Sequence, residues 1–194
     1  MSLLLDVTKP RSFRLDYTTG VLGPYQHIKK VHLNKMVAYF VNKEAIKTIL
    51  SSGENPLIYE TQIIDWPSKE GIIKIGSTTI YPGEIGDELY HNRGHYHQKD
   101  QTSEIYIGLK GRGRIVMQKE DGKTRILPLE LHDVAHIPPG WAHRVINIGR
   151  DKMSFMFACL ADAGSNYEPI KERGFKKILV KKDEKIEVTE NPFF

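Results

Sequence analysis

The chain has 194 residues, 40% hydrophobic and 27% charged, and its 28 Lys and Arg against 24 Asp and Glu leave a formal charge of +4. That balance excludes a disordered chain and supplies enough apolar surface for one core. The lone cysteine, Cys159, excludes an intramolecular disulfide framework; there is no long basic run to suggest nucleic acid, and no apolar stretch of the roughly 18 residues a membrane helix needs. The chain opens on a short apolar run with no basic start and an acid at Asp6, so no signal peptide is expected and a cytoplasmic setting is the default.

In chain order, the first clear element is a helix with Asn42 as its cap, Ala45, Ile46, Ile49 and Leu50 as its apolar face and Gly53 as its stop. Strand signals then dominate, over 57–65, 72–81, 104–109, 114–119, 124–129, 134–137, 142–148 and 153–160, with Gly, Pro, Asp and Asn between them. Asp121-Gly122 reads as a hairpin turn in which both residues tolerate positive φ, and Pro128 demotes its run to an edge strand. A short helix is expected over 167–173, and the tail over 176–188 reads as an edge strand or hairpin. Many short strands at near-regular spacing, without repeat or linker, predict one all-β domain over 1–194, a sandwich or barrel.

Five of the eight histidines lie between His91 and His136. Two residues apart on a strand, His95 and His97 point to the same face and present two imidazoles together. Glu104 follows after six intervening residues, room for a turn and the start of a neighbouring strand, and His143 comes on a later strand after Pro138-Pro139-Gly140. Three neutral imidazoles and a carboxylate form a site for Fe(II), Mn(II), Ni(II) or Zn(II), with one or two positions left for water or substrate. Alone, each of these residues has an ordinary structural reading; their order and spacing together set them apart.

Gly94-His95-x-His97, Glu104 and Gly111 resemble the first cupin motif, and Pro138-x-Gly140-x-x-His143-x-x-x-Asn147 resembles the second. Six residues between His97 and Glu104 exceed the generic spacing and are similar to the cupin-type phosphoglucose isomerases, as are Tyr106, Gly113 and Gln118. Tyr81-Pro82-Gly83, Ala161-Asp162-Ala163-Gly164 with Tyr167, Gly174-Phe175 and Asn191-Pro192 extend the resemblance from about Tyr59 to the C-terminus. It implies a cupin jelly-roll barrel with additional N-terminal strands and a few short helices, its metal-binding core at about 57–160. It further implies glucose 6-phosphate and fructose 6-phosphate as substrates, a homodimer, and one divalent metal per subunit held by His95, His97, Glu104 and His143. Fe(II) comes first among the metals, with Mn, Ni or Zn as alternatives.

The same resemblance assigns Glu104 as the group that carries a proton between C1 and C2, with a hydride shift as the rival, and Tyr106 as a partner that orients a sugar oxygen. Tyr59, Thr78, Asn92, Gly94 through its N–H, and Tyr167 match substrate and phosphate contacts. Asn92, Cys159 and Ser165 stand where threonine, tyrosine and histidine are common, which sets the phosphate pocket apart more than the metal centre. His91, His132 and His136 fall outside the pattern and read as structural or surface residues, His136 being a candidate for the cavity wall. Trp66 and Trp141 read as packing residues, and Tyr90 and Tyr96 as packing or dimer contacts. The competing readings are an Fe(II)-dependent cupin dioxygenase, which would consume oxygen and want a more apolar pocket, and a non-catalytic sugar-binding cupin, which has little need for four intact ligands.

Overall fold

A computed structural model describes residues 6–194, so the apolar start at residues 1–5, read above as no signal peptide, lies outside the described residues. The N-terminal part holds strands β1 (Arg14–Asp16), β2 (Val21–Gly23) and β3 (His27–His32), a 3-10 turn at Leu33–Lys35, and helix α1 (Lys43–Ser51). Then come β4 (Leu57–Ile63), β5 (Ile73–Ile80), β6 (Glu84–Ile85), β7 (Glu88–Leu89), β8 (Glu104–Lys110) and β9 (Gly113–Gln118). The remainder is β10 (Thr124–Pro128), β11 (Val134–Ile137), β12 (Ala142–Asn147), β13 (Met153–Leu160), α2 (Glu168–Arg173), β14 (Lys177–Lys182) and β15 (Lys185–Glu190).

Sheet order is β11-β8-β13-β5-β4-β3 in the six-stranded sheet, β10-β9-β12 in the three-stranded one and β15-β14-β7-β6 in the four-stranded one, with β1-β2 a separate hairpin. Hairpin neighbours alternate with long-range pairings, β11-β8, β8-β13, β13-β5, β9-β12 and β14-β7, the crossovers that a jelly roll requires. The core joins Ile58, Ile80 and Phe155 of the six-stranded sheet to Ile115, Val145 and Ile146 of the three-stranded one, closing the barrel.

Local chemistry explains the element ends. Asn42 Oδ1 accepts from the Ala45 N–H at 2.9 Å, a cap whose loss to alanine costs about 1 kcal/mol, and Ile46 buries the apolar face of α1. Pro128 closes an edge strand, where its missing N–H leaves no ladder bond unmade. The β9–β10 hairpin is wider than a two-residue turn: Lys119 N–H donates to Lys123 O, and only Gly122 takes positive φ, at 82°. The tail forms the β14–β15 hairpin, and α2 begins at Glu168. Gln118 Oε1 accepts from the Lys176 N–H at 2.6 Å, so this residue of the motif ties the turn after α2 to the barrel.

The strand reading of His95 and His97 needs correction. The segment from His91 to His97 joins no ladder and is held by isolated bridges, His91 to Ile146, His95 to His143 and Tyr96 to Asn166. The backbone turns at Gly94, φ 69°, yet His95 and His97 still face one point, a ligand atom of each lying within 4.8 Å of the other.

Candidate metal centre

The bridge between His95 and His143 brings two ligand candidates together across the barrel mouth: each backbone N–H donates to the other's carbonyl, at 3.3 and 3.1 Å. Gly94 permits this approach. At φ 69°, a Cβ there would stand 2.7 Å from both Arg144 Cβ and Phe175 Cε2 and 3.0 Å from the His143 carbonyl oxygen. Glu104 opens β8, pairs in register with Cys159 on β13 and points inward. One ligand atom from each of His95, His97, Glu104 and His143 lies within 4.8 Å of the others.

Hydrogen bonds behind the rings fix their tautomers. His97 Nδ1 lies 2.7 Å from Thr102 Oγ1 and 3.2 Å from the Thr102 carbonyl. The Thr102 hydroxyl spends its one proton on Lys99 O at 2.6 Å, so it must accept from His97 Nδ1–H. His143 Nδ1 faces the Trp141 carbonyl at 3.2 Å and is likewise the donor. Both Nε2 lone pairs are thereby turned on Glu104 Oε2, at 3.1 and 2.9 Å. His143 Nε2 is buried and has no hydrogen-bond partner of acceptable geometry. Lone pairs against a carboxylate oxygen repel unless positive charge, a proton or a metal cation, joins them. Neutral imidazoles locked by carbonyl and hydroxyl acceptors are the form metal ligands take, so these residues fit a divalent ion.

The electrostatics agree. Burial, then the neighbouring His143, pushes His95 down to about 3, so its imidazole is neutral at pH 7. Burial alone would raise the Glu104 carboxyl, but positive charge shared with the adjoining His143 and His97 rings holds it well below the usual carboxylate range, the place a bound cation would take. Burial, and then Glu104, pushes the Cys159 thiol up to about 12, which makes it an inert neighbour. Replacing Thr102 with valine keeps the shape but removes the acceptor that orients His97. Metal affinity is expected to fall about 10–100-fold, read by competition with a chromophoric chelator; unchanged affinity would show that Thr102 does not hold the ring.

A cavity of about 350 Å³ opens over the centre. Tyr59, Thr78, Asn92, Gly94, Tyr167 and Tyr106 all border it with His95, His97 and Glu104, while His143 lies fully buried beneath. Tyr106 is buried edge-on to His143, with ring centroids 5.5 Å apart, and burial drives its phenol far above the ordinary tyrosine range. Thr78 and Thr61 share a hydrogen bond at 3.0 Å. Asn92 Oδ1 accepts from the Val145 N–H at 2.8 Å, which leaves its amide nitrogen as the available donor.

His136 is exposed on β11 and takes no part in the cavity wall, because inward positions on that strand belong to Ala135 and Ile137. Trp66 does more than pack. It borders the cavity, its indole N–H held by the Ile75 carbonyl at 3.0 Å. Sequence reasoning missed three cations on the wall, Lys29, Lys74 and Arg93, and the threonine at 61.

Behind β12 lies a second buried polar group. Arg144 Nη1 lies 3.3 Å from His91 Nε2, and Arg144 Nη2 lies 3.6 Å from Glu88 Oε1, all three side chains being enclosed. His91 Nδ1 donates to Asn92 O at 2.7 Å, burial and then the Arg144 charge lower the ring's pKa, and its Nε2 sits between Arg144 Nη1 at 3.3 Å and Glu88 Oε1 at 3.2 Å. Glu88 Oε2 accepts from the Val41 N–H at 2.7 Å, and the guanidinium carbon lies 4.6 Å from the centroid of the Phe175 ring.

Comparison with known proteins decides the family. The model of the glucose-6-phosphate isomerase (GPI) family matches residues 32–192. The chain belongs to the glucose-6-phosphate isomerase family. A glucose-6-phosphate isomerase of Thermococcus litoralis is 37% identical over 186 residues, spanning 95% of this chain and 96% of that one. One of Pyrococcus abyssi is 35% identical over 184 residues, spanning 95% and 96%, and one of Sinorhizobium medicae 26% identical over 175 residues, spanning 90% and 82%. Among solved structures, a recombinant oxalate oxidase in complex with glycolate gives a TM-score of 0.46 at 13% identity, covering 76% of this chain and 57% of that one. The match to the glucose-6-phosphate isomerase family takes in all four ligand candidates and every cavity residue described above except Lys29.

Proposed function

We propose that the cavity isomerises glucose 6-phosphate and fructose 6-phosphate, the step that joins aldose and ketose phosphates in glycolysis and gluconeogenesis. The observation that carries this reading is the convergence of three imidazoles and Glu104 beneath a polar cavity, in a chain of the glucose-6-phosphate isomerase family. A divalent ion held by His95, His97, Glu104 and His143, with Fe(II) first among the candidates, would supply Lewis acidity to the oxygens on C1 and C2.

This chain's own residues do the rest. Glu104 turns Oε2 to both imidazoles, while Oε1 makes neither contact. Oε1 is therefore the oxygen that removes the C2 proton of the open-chain aldose. The C2–H electron pair becomes the C1–C2 double bond, the negative charge moves to the C1 oxygen, and the Glu104 carboxylic acid, free to exchange its proton with water in the open cavity, delivers a proton to C1 once the C2 hydroxyl has passed its own proton to that oxygen. Tyr106, two residues along the same strand, keeps its proton at neutral pH and orients a sugar hydroxyl. At the other end Thr61, Thr78, Tyr59, Tyr167, the Asn92 amide and the Gly94 N–H hold the phosphate. Lys29 stands in register with Thr61, and Arg93 precedes Gly94, so positive charge flanks this end.

A coupled assay tests the reading. Metal-loaded protein is expected to form fructose 6-phosphate from glucose 6-phosphate with no oxygen uptake; oxygen consumption without isomerisation would favour the dioxygenase. A homodimer in the cytoplasm is the accompanying proposal. No helix among the described residues is long and apolar enough to cross a membrane. The outer face of the six-stranded sheet exposes Ile73, Ile105 and Val134 at 61%, 41% and 66%, an apolar strip that a second copy would cover. Light scattering should give twice 22.2 kDa.

A further inference from the structure

Glu104, Cys159 and Lys74 occupy one row of the six-stranded sheet. Cys159 pairs with Glu104 on β8 and with Lys74 on β5, so three side chains face inward side by side. Lys74 is half-buried and borders the cavity, and its ammonium interacts with the Cys159 sulfur. Among the described residues no carboxylate lies within ion-pair distance of it. An inward-facing cation with no carboxylate of the chain beside it leaves room on the cavity side for an anionic or polar group of a ligand.

Two ends of the cavity carry cations, and only one is the phosphate end. Thr78 lies on the same strand as Lys74 and on the same face, four residues or roughly 13 Å away. A phosphate held by the Thr61–Thr78 hydroxyls is thus far from Lys74, whereas Glu104 is two strands across in the same row. The short Cys159 side chain leaves the intervening space open to the lysine.

We propose that Lys74 is a further catalytic residue: its ammonium donates hydrogen bonds to the sugar oxygens at C1 and C2 and takes up the negative charge that develops there as the C–H bond breaks. This rests on the isomerase reading. A fixed charge of this kind acts on the transition state more than on the bound ground state.

The test uses full-length, metal-loaded protein. Lys74→Met is expected to lower kcat about 10²-fold, with KM for fructose 6-phosphate changed less than about threefold and with metal content and melting temperature as in the wild type. Calorimetry with 5-phosphoarabinonate, whose carboxylate imitates the enediolate, should show affinity falling about as far as kcat. Lys74→Met/Cys159→Tyr should regain at least tenfold of the lost rate, because the phenol restores a donor in the same row. Lys74→Gln serves if the methionine variant misfolds. Wild-type kcat and wild-type inhibitor affinity in Lys74→Met would overturn the proposal, and so would a raised KM with kcat intact, which would move Lys74 to ground-state binding. A wild-type protein without isomerase activity would remove the isomerase reading instead, and calorimetry would still report whether Lys74 meets the carboxylate.

Discussion

Stripping the protein with a chelator is expected to abolish isomerisation and lower the melting temperature together, and Fe(II), Mn(II) or Ni(II) to restore both. The donors explain the pairing of the two effects. His97, Glu104 and His143 are buried, and two imidazole lone pairs oppose one carboxylate oxygen at 3.1 and 2.9 Å. A cation turns that repulsion into attraction, and it binds the folded chain alone, since unfolding scatters ligands that lie up to 48 residues apart. At a free metal concentration a thousand times Kd, mass action adds about 4 kcal/mol. For a chain of this length that is roughly 8–16 °C in melting temperature. His143→Ala should behave as the stripped protein does even with metal supplied, because it removes the ligand that the barrel bridge holds in place. Activity that survives complete metal removal would refute the mechanism, and a restored rate without a restored melting temperature would place the metal elsewhere.

Glu104→Gln is expected to lower kcat by about 10²–10⁴. The amide keeps an oxygen toward the imidazoles but cannot accept the C2 proton. Isomerisation by the wild type in heavy water should place deuterium at C2 of glucose 6-phosphate and at C1 of fructose 6-phosphate, because a carboxylic acid in a cavity open to water exchanges its proton. A metal-loaded Glu104→Gln protein with near wild-type rate, or product without solvent deuterium, would remove the base and leave the hydride shift.

The convergence of His95, His97, Glu104 and His143 was legible because spacing encodes it: two histidines one residue apart, six residues that leave room for a turn, and a later strand that returns His143, although the first segment forms no ladder. Helix α1 was legible from its cap and its stop. The groups that prepare the ligands were not. Thr102 reaches His97 through a turn whose shape no periodicity announces, and Trp141 acts through its carbonyl, which every residue possesses. Lys29, Lys74 and Arg93 look in sequence like surface cations, and only sheet register turns the two lysines toward the cavity. Strand β3 escaped detection because it is a polar edge, with only Val31 buried along it. His136 misled because its neighbour, not the histidine, has the inward parity.

The enclosed trio of Glu88, His91 and Arg144 bears on how such a sequence can drift. Burial, offset in part by Glu88, leaves the guanidinium at about 10, so it stays charged at neutral pH beside the carboxylate that faces it. Removing one partner strands the other in a low-dielectric interior, a loss of about 3–5 kcal/mol for a buried pair. A single substitution there removes a large share of the roughly 5–15 kcal/mol that holds a domain folded, so the arrangement is exchanged at least loss when all three residues give way to an apolar set together. Since Arg144 directly follows His143, the metal site inherits that inertia: its surroundings are shielded from gradual change by a neighbour that performs no chemistry.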